Sequence, residues 1–183
     1  MADIHLGKID FQKNYDKRLK ENLELSKLEK VYKESTKKGK LNIDLIWNEK
    51  INEIDDVFFY ENLSKEKFYN LENNYIIEIL DLDKVVDLNC GGKVNSNKAY
   101  PKDKLWGTIR LDSNITKLIK YIKSGKILCP PVIIYRPNEY SSGKDIFTIC
   151  DGNHRIALSR FLGLKTIPFI IKKEEIDKIR KIT

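Results

Sequence analysis

Ile146-Phe147-Thr148-Ile149-Cys150-Asp151-Gly152-Asn153-His154-Arg155-Ile156-Ala157-Leu158-Ser159-Arg160-Phe161-Leu162-Gly163 changes character in its middle. Asp145 to Cys150 is rich in β-branched and aromatic residues, which suit a strand. Gly152 to Leu162 suits a helix, with Gly163 as its stop. Between the two lies Asp151-Gly152-Asn153-His154-Arg155. A strand running through such a turn into a helix leaves the helix's first N–H groups without internal partners. Those groups and the positive end of the helix dipole favour an anion.

Each residue of the turn admits a chemical and a structural role. Gly152 lacks a Cβ and permits close approach. Asn153 follows it at the helix start. Arg155 offers a forked pair of donors matched to phosphate. His154 can donate to a phosphate oxygen or move a proton near neutral pH. Asp151 can orient a base or meet a metal. Equally, Asp151 is a good helix N-cap, Asp-Gly is a common turn pair, and Arg155 suits a solvated helix face. On these five residues alone the structural roles carry more weight.

Working outward, Pro130-Pro131 opens a strand at Val132–Tyr135, and Asn138 to Lys144 forms a polar turn leading back to 145–150. Lys165 to Ile171 makes another strand, and 173–182 a charged helix. Before them, Asn114 is expected to cap a helix over 114–123, stopped by Ser124-Gly125. Tyr75 to Leu80 reads as the first strand. Residues 87–107 contain Gly91-Gly92, Asn95, Ser96, Asn97 and Pro101, and read as a long loop, a candidate lid. In the first part of the chain, 8–38 reads as a long amphipathic helix. Phe11, Tyr15, Leu19 and Leu23 recur every four residues, Leu28 and Tyr32 continue the stripe, and Gly39 ends it. Further helices are expected over 44–60, through Leu45, Ile51, Ile54 and Phe58, and from Ser64 to Leu71. The division is therefore 1–72, a helical extension suited to docking a protein partner, and 73–183, the domain that carries the turn.

The run from Pro130-Pro131-Val132-Ile133-Ile134-Tyr135 through the turn to Ala157, Leu162-Gly163 and Ile167-Pro168 resembles the ParB/sulfiredoxin superfamily. The likeness covers roughly 75–171 and is most specific over 128–170. It implies an α+β domain with a mixed sheet and an N-terminal helical extension. It also implies a polyphosphate seated on Gly152, Asn153, His154 and Arg155, with Arg110 as a further contact and Asp151 and His154 as catalytic groups. ATP or ADP, or else CTP, would be the cofactor, with Mg2+. Sulfiredoxin chemistry is not expected, because Asn153 stands where that family has its cysteine. Partition activity is not expected either, because no helix-turn-helix reader follows the last expected strand. The Asp-Gly-x-His-Arg form looks closer to the superfamily's free-serine kinases. That implies phosphoryl transfer to a small-molecule hydroxyl acceptor, or nucleotide hydrolysis. Glu78, Asp81, Asp83 and Asp112 are looser candidates for its base.

Charge leaves a second class open. The chain has 183 residues, 41% hydrophobic and 33% charged, a mixture able to bury a core. Residues 71–183 carry 20 Lys/Arg and 13 Asp/Glu, a difference that accounts for the whole net charge of +7. Such an excess suits nucleic acid, bound or cut as by a ParB-like nuclease, with Tyr100, Trp106 and Tyr135 as stacking residues. A non-catalytic adaptor is the third class. Cys90, Cys129 and Cys150 have neither a disulfide nor a zinc pattern, and no metal-ligand spacing is present. Without a signal-like N-terminus or a membrane-length apolar run, a cytoplasmic protein with no membrane partner is expected.

Overall fold

The computed structural model describes residues 6–54, 74–136 and 146–182. Helix α1 spans Leu6–Lys37, and Gly39 follows at φ 63°, the left-handed conformation expected of a helix stop. The helix expected over 44–60 does not form over 44–54, and its remainder lies outside the described residues. Residues 40–50 carry no regular element apart from Trp47, which forms a parallel bridge to Leu128, and Ile51–Glu53 makes a 3-10 turn. Asn48 N–H donates to the Leu128 carbonyl and Leu128 N–H to the Ile46 carbonyl, at 2.8 and 2.7 Å. Tertiary pairing thus overrides a helical spacing of apolar residues. The helix expected from Ser64 and the polar turn at 138–144 lie outside the described residues.

Strands β1 (Tyr75–Asp81), β2 (Val132–Arg136), β3 (Ile146–Asp151) and β4 (Thr166–Lys172) form one sheet in the order β1-β4-β2-β3. β1 and β4 are antiparallel, β4 and β2 parallel, and β2 and β3 antiparallel, so the fold is α+β with a mixed sheet. Central β4 is apolar without alternation because both its faces are covered. Ile167, Phe169 and Ile171 enter a core shared with Leu82, Val85 and Ile156, while Ile170 joins Cys129 and Val132 on the other side.

The expected loop over 87–107 is two helices for half its length. Helix α2 (Leu82–Cys90) is capped by the Asp81 carboxylate, which accepts from Lys84 N–H, and buries Leu82, Val85 and Val86. Gly91, at φ 70°, ends it, and α3 (Lys93–Ala99) starts two residues later. Gly91-Gly92 is therefore a helix-to-helix joint. Ser96 is buried and donates to Asp87 and to the Lys93 carbonyl, so a polar residue that reads as loop packs α3 on α2. Beyond Tyr100 the chain is irregular until α4 (Asp112–Lys123), which begins two residues before the expected cap at Asn114.

Helix α5 (Asn153–Phe161) follows β3 directly, with Gly152 in the N-cap position, and α6 (Ile176–Ile182) closes the described chain. The C-terminal half of α1 shares a second core with α4 and α5, built on Tyr32, Ile115, Leu118, Ile119, Leu128 and Leu158. Among the described residues no helix is long and apolar enough to cross a membrane.

Candidate functional site

The turn sits where β3 leaves the sheet beside a bulge. Val132 is opposite Asp151 and Ile133 opposite Ile149, so Cys150 is the extra residue of β3. A bulge sharpens local twist and re-aims the residues after it. Gly152 follows at φ 89° and is buried. A Cβ there would lie 2.6 Å from Pro131 Cβ and 2.8 Å from Pro131 Cα. The close approach that this glycine permits is therefore to the proline opening β2. The Ile156 N–H bonds the Gly152 carbonyl at 2.9 Å, and the N–H groups of Asn153, His154 and Arg155 precede that first helical bond.

Arg155 points inward. Its side chain is buried, Nη1 donates to the Cys129 carbonyl at 2.6 Å, and Nη2 pairs with the Asp151 carboxylate. The arginine expected to contact phosphate and the aspartate expected as a catalytic group instead clamp each other and the strand entry. Asp151 is not the helix cap, and no side chain caps α5. Burial pushes the Cys129 thiol beside this clamp up to about 11.

Asn153 is held from a distance in sequence. The Tyr100 hydroxyl donates to its Oδ1, which leaves the amide Nδ2 as the donating end. Tyr100 is itself buried, with its phenol pKa raised by that burial while Arg110 opposes the rise. The Arg110 guanidinium lies over the Tyr100 ring, 4.4 Å from its centroid. Arg160 secures this corner: Nη1 donates to the Tyr100 carbonyl at 2.7 Å and Nε to Asp83 at 2.9 Å.

His154 completes the group. Burial lowers its pKa first, the nearby Arg110 charge lowers it further, Arg155 adds to this, and Asp151 opposes. It is therefore neutral at pH 7. Among the described residues two side-chain nitrogens are buried without a hydrogen-bond partner, Arg110 Nε and His154 Nε2. Each such group costs about 1–3 kcal/mol while unsatisfied. Arg110 acts electrostatically on His154, which lies in the first turn of α5, so the two unmet groups belong to one corner.

The looser carboxylates are engaged elsewhere. Glu78 pairs with Arg180, Asp81 caps α2, Asp83 meets Arg160 and Lys102, and Asp112 accepts from Gly107 N–H and pairs with Lys33. Trp106 donates to Thr36 and Tyr135 packs on Phe147, and both rings are half-buried. Two residues outside the expected phosphate site belong to it: Tyr100, which holds Asn153, and Pro131, which abuts Gly152. No local signal marks either, because both act across the fold. The described residues contain no group of three or more His, Cys, Asp or Glu placed to hold a metal. No protein-family model, curated protein or solved structure matches the chain.

Proposed function

We propose that this is a ParB/sulfiredoxin-like domain that binds the polyphosphate of a nucleotide at the start of α5, and that it transfers or hydrolyses a phosphoryl group there. The observation that carries the reading is the pair of buried, unpartnered nitrogens, Arg110 Nε and His154 Nε2, beside a helix N-terminus that follows a strand. A phosphate oxygen would give Arg110 Nε the acceptor it lacks and take up the N–H groups of Asn153, His154 and Arg155, leaving His154 Nε2 to receive a hydrogen bond from the attacking hydroxyl or water. The charge contact belongs to Arg110. Arg155 supports it by holding Asp151 and the Cys129 carbonyl in place.

In this mechanism His154 is the proton carrier. It is neutral in the free protein because of burial and Arg110, so it can accept the proton of an attacking hydroxyl or water. Phosphate charge placed against Arg110 cancels the field that depresses His154 and raises its basicity as the ligand binds. Asp151, clamped by Arg155, keeps a negative charge next to the imidazole and stabilises its protonated form. Magnesium fits such a site as a companion of the phosphates, since it is commonly held by one or two carboxylates plus substrate oxygens. Asp151 is the turn's own carboxylate for that purpose, and the metal would supply charge neutralisation of the phosphoryl group.

The test is calorimetric titration with ATP, ADP and CTP in the presence of magnesium, on wild type and Arg110→Gln. Micromolar binding that weakens ten-fold or more in the variant, about 1.4 kcal/mol, supports the site. No heat with any of the three nucleotides overturns it and moves the reading to nucleic acid, whose binding would fall steeply with salt.

A further inference from the structure

Asn153 enters the first turn of α5 with an amide that has two different ends. One is a carbonyl oxygen that accepts, the other an NH2 group that donates, and their shapes are nearly the same. At a helix N-terminus the difference decides what the corner holds. A carbonyl turned toward the ligand repels a phosphate oxygen. An NH2 group turned the same way adds a donor to the N–H groups of residues 153–155.

Tyr100 sets the orientation. Its hydroxyl donates to Asn153 Oδ1, and among the described residues nothing accepts from Nδ2. A phenol oxygen is also able to accept, which would turn the amide round. Arg110 opposes that arrangement. Its guanidinium has donors only, lies over the Tyr100 ring 4.4 Å from the centroid, and lowers the phenol pKa against the effect of burial. A cation so placed favours the phenol oxygen as an acceptor on its own side and leaves the hydroxyl proton for Asn153.

Both ends of the Tyr100–Asn153 bond are fixed to one helix. Arg160, buried about two turns further along α5, donates from Nη1 to the Ser96 and Tyr100 carbonyls at 3.2 and 2.7 Å, and from Nε to Asp83 at 2.9 Å. Tyr100 is itself buried. The hydroxyl that orients Asn153 is thus held by the same helix that carries Asn153, and the amide is turned before a ligand arrives.

We infer that Tyr100 is a positioning residue for the oxyanion at the start of α5. It turns the Asn153 amide so that the phosphate side of the corner presents donors, which selects a ligand group that only accepts, such as a fully ionised phosphate. The inference rests on the polyphosphate reading of this corner and adds to it the means by which that class of ligand is selected.

Titration calorimetry with ATP, ADP and CTP plus magnesium, on variants of both residues, tests it. Tyr100→Phe keeps the ring beneath Arg110 and removes the hydroxyl, so the amide is free to turn and affinity falls about three- to ten-fold. Asn153→Ala loses a similar factor. In the Asn153→Ala background Tyr100→Phe has no amide to turn, so it weakens binding by less than about two-fold more. A residue that merely stabilised the fold would cost the same factor in both backgrounds. Asn153→Asp keeps an acceptor for the Tyr100 hydroxyl and sets a second oxygen where the NH2 group was. Its affinity falls about ten-fold or more. Its urea midpoint stays at or above that of wild type, because a carboxylate suits a helix N-terminus. This variant leaves the Tyr100 side chain intact, so it decides the matter if circular dichroism shows that Tyr100→Phe does not fold. Wild type that binds none of the three nucleotides overturns the polyphosphate reading and this inference with it. Three results with a wild type that binds overturn the inference alone: Tyr100→Phe within two-fold of wild type, equal Tyr100→Phe factors in both backgrounds, or Asn153→Asp at full affinity.

Discussion

Replacing Arg155 by methionine keeps an unbranched apolar stem and removes the guanidinium, so it separates a clamp from a ligand contact. The lost bond to the Cys129 carbonyl, 2.6 Å in the structure, joins a charged donor to a buried acceptor. Such bonds contribute about 1.5–3 kcal/mol. The variant also strands the Asp151 carboxylate. Breaking a fully buried pair costs about 3–5 kcal/mol. Here the Asp151 side chain is 33% exposed, so water screens part of that loss and about 1–2 kcal/mol is expected. The two together predict a loss of about 2.5–5 kcal/mol. With a urea m-value of about 2 kcal/mol per molar, the unfolding midpoint read by circular dichroism falls by roughly 2 M. A double-mutant cycle with Asp151→Asn adds a second reading. Because the residues touch, the double variant should be less destabilised than the separate losses imply, by about 1 kcal/mol or more. A loss under about 1 kcal/mol for Arg155→Met, or strict additivity with Asp151→Asn, refutes the clamp. Where the variant is still folded, its nucleotide affinity should fall less than that of Arg110→Gln.

Gly152→Ala places a Cβ against Pro131 at φ 89°, and the combined strain and overlap should cost about 3 kcal/mol or more in the same unfolding assay. His154, whose pKa is lowered by burial and by Arg110, binds fewer protons folded than unfolded. Its contribution is present above the unfolded value near 6.5 and is lost as pH falls from there toward the folded value. His154→Gln should flatten the fall in stability over that window, and an unchanged pH profile would refute the assignment. Cys129, pushed up to about 11, is almost wholly thiol at pH 8, so alkylation should be at least 100-fold slower than for a model thiol until urea unfolds the chain. Rapid native-state labelling mapped to Cys129 would contradict its burial.

How much was legible in the residues varied with range. The β3–turn–α5 unit, the β4 strand, the stop at Gly39 and the strand over 75–80 were all readable, because each depends on periodicity or a glycine within a few positions. The helices α2 and α3 were not, since Gly91-Gly92 and a run of Asn and Ser look the same in a loop and in a joint between two packed helices. The segment 44–54 failed in the opposite direction: helical spacing yielded to a pairing with Leu128, far along the chain.

For the site, the sequence by itself determined which groups gather at the start of α5, because Asp151 to Arg155 are neighbours on one turn. Only the tertiary structure decided what each of them does. Arg155 turns toward the Cys129 carbonyl and Asp151, 53 residues separate Tyr100 from the Asn153 it holds, and Arg110 arrives from the irregular stretch before α4 to depress His154. Local sequence specifies backbone conformation through propensity and steric limits. Which acceptor a guanidinium reaches, and how much water surrounds an imidazole, depend on where distant segments cross, and that is set by packing the two cores.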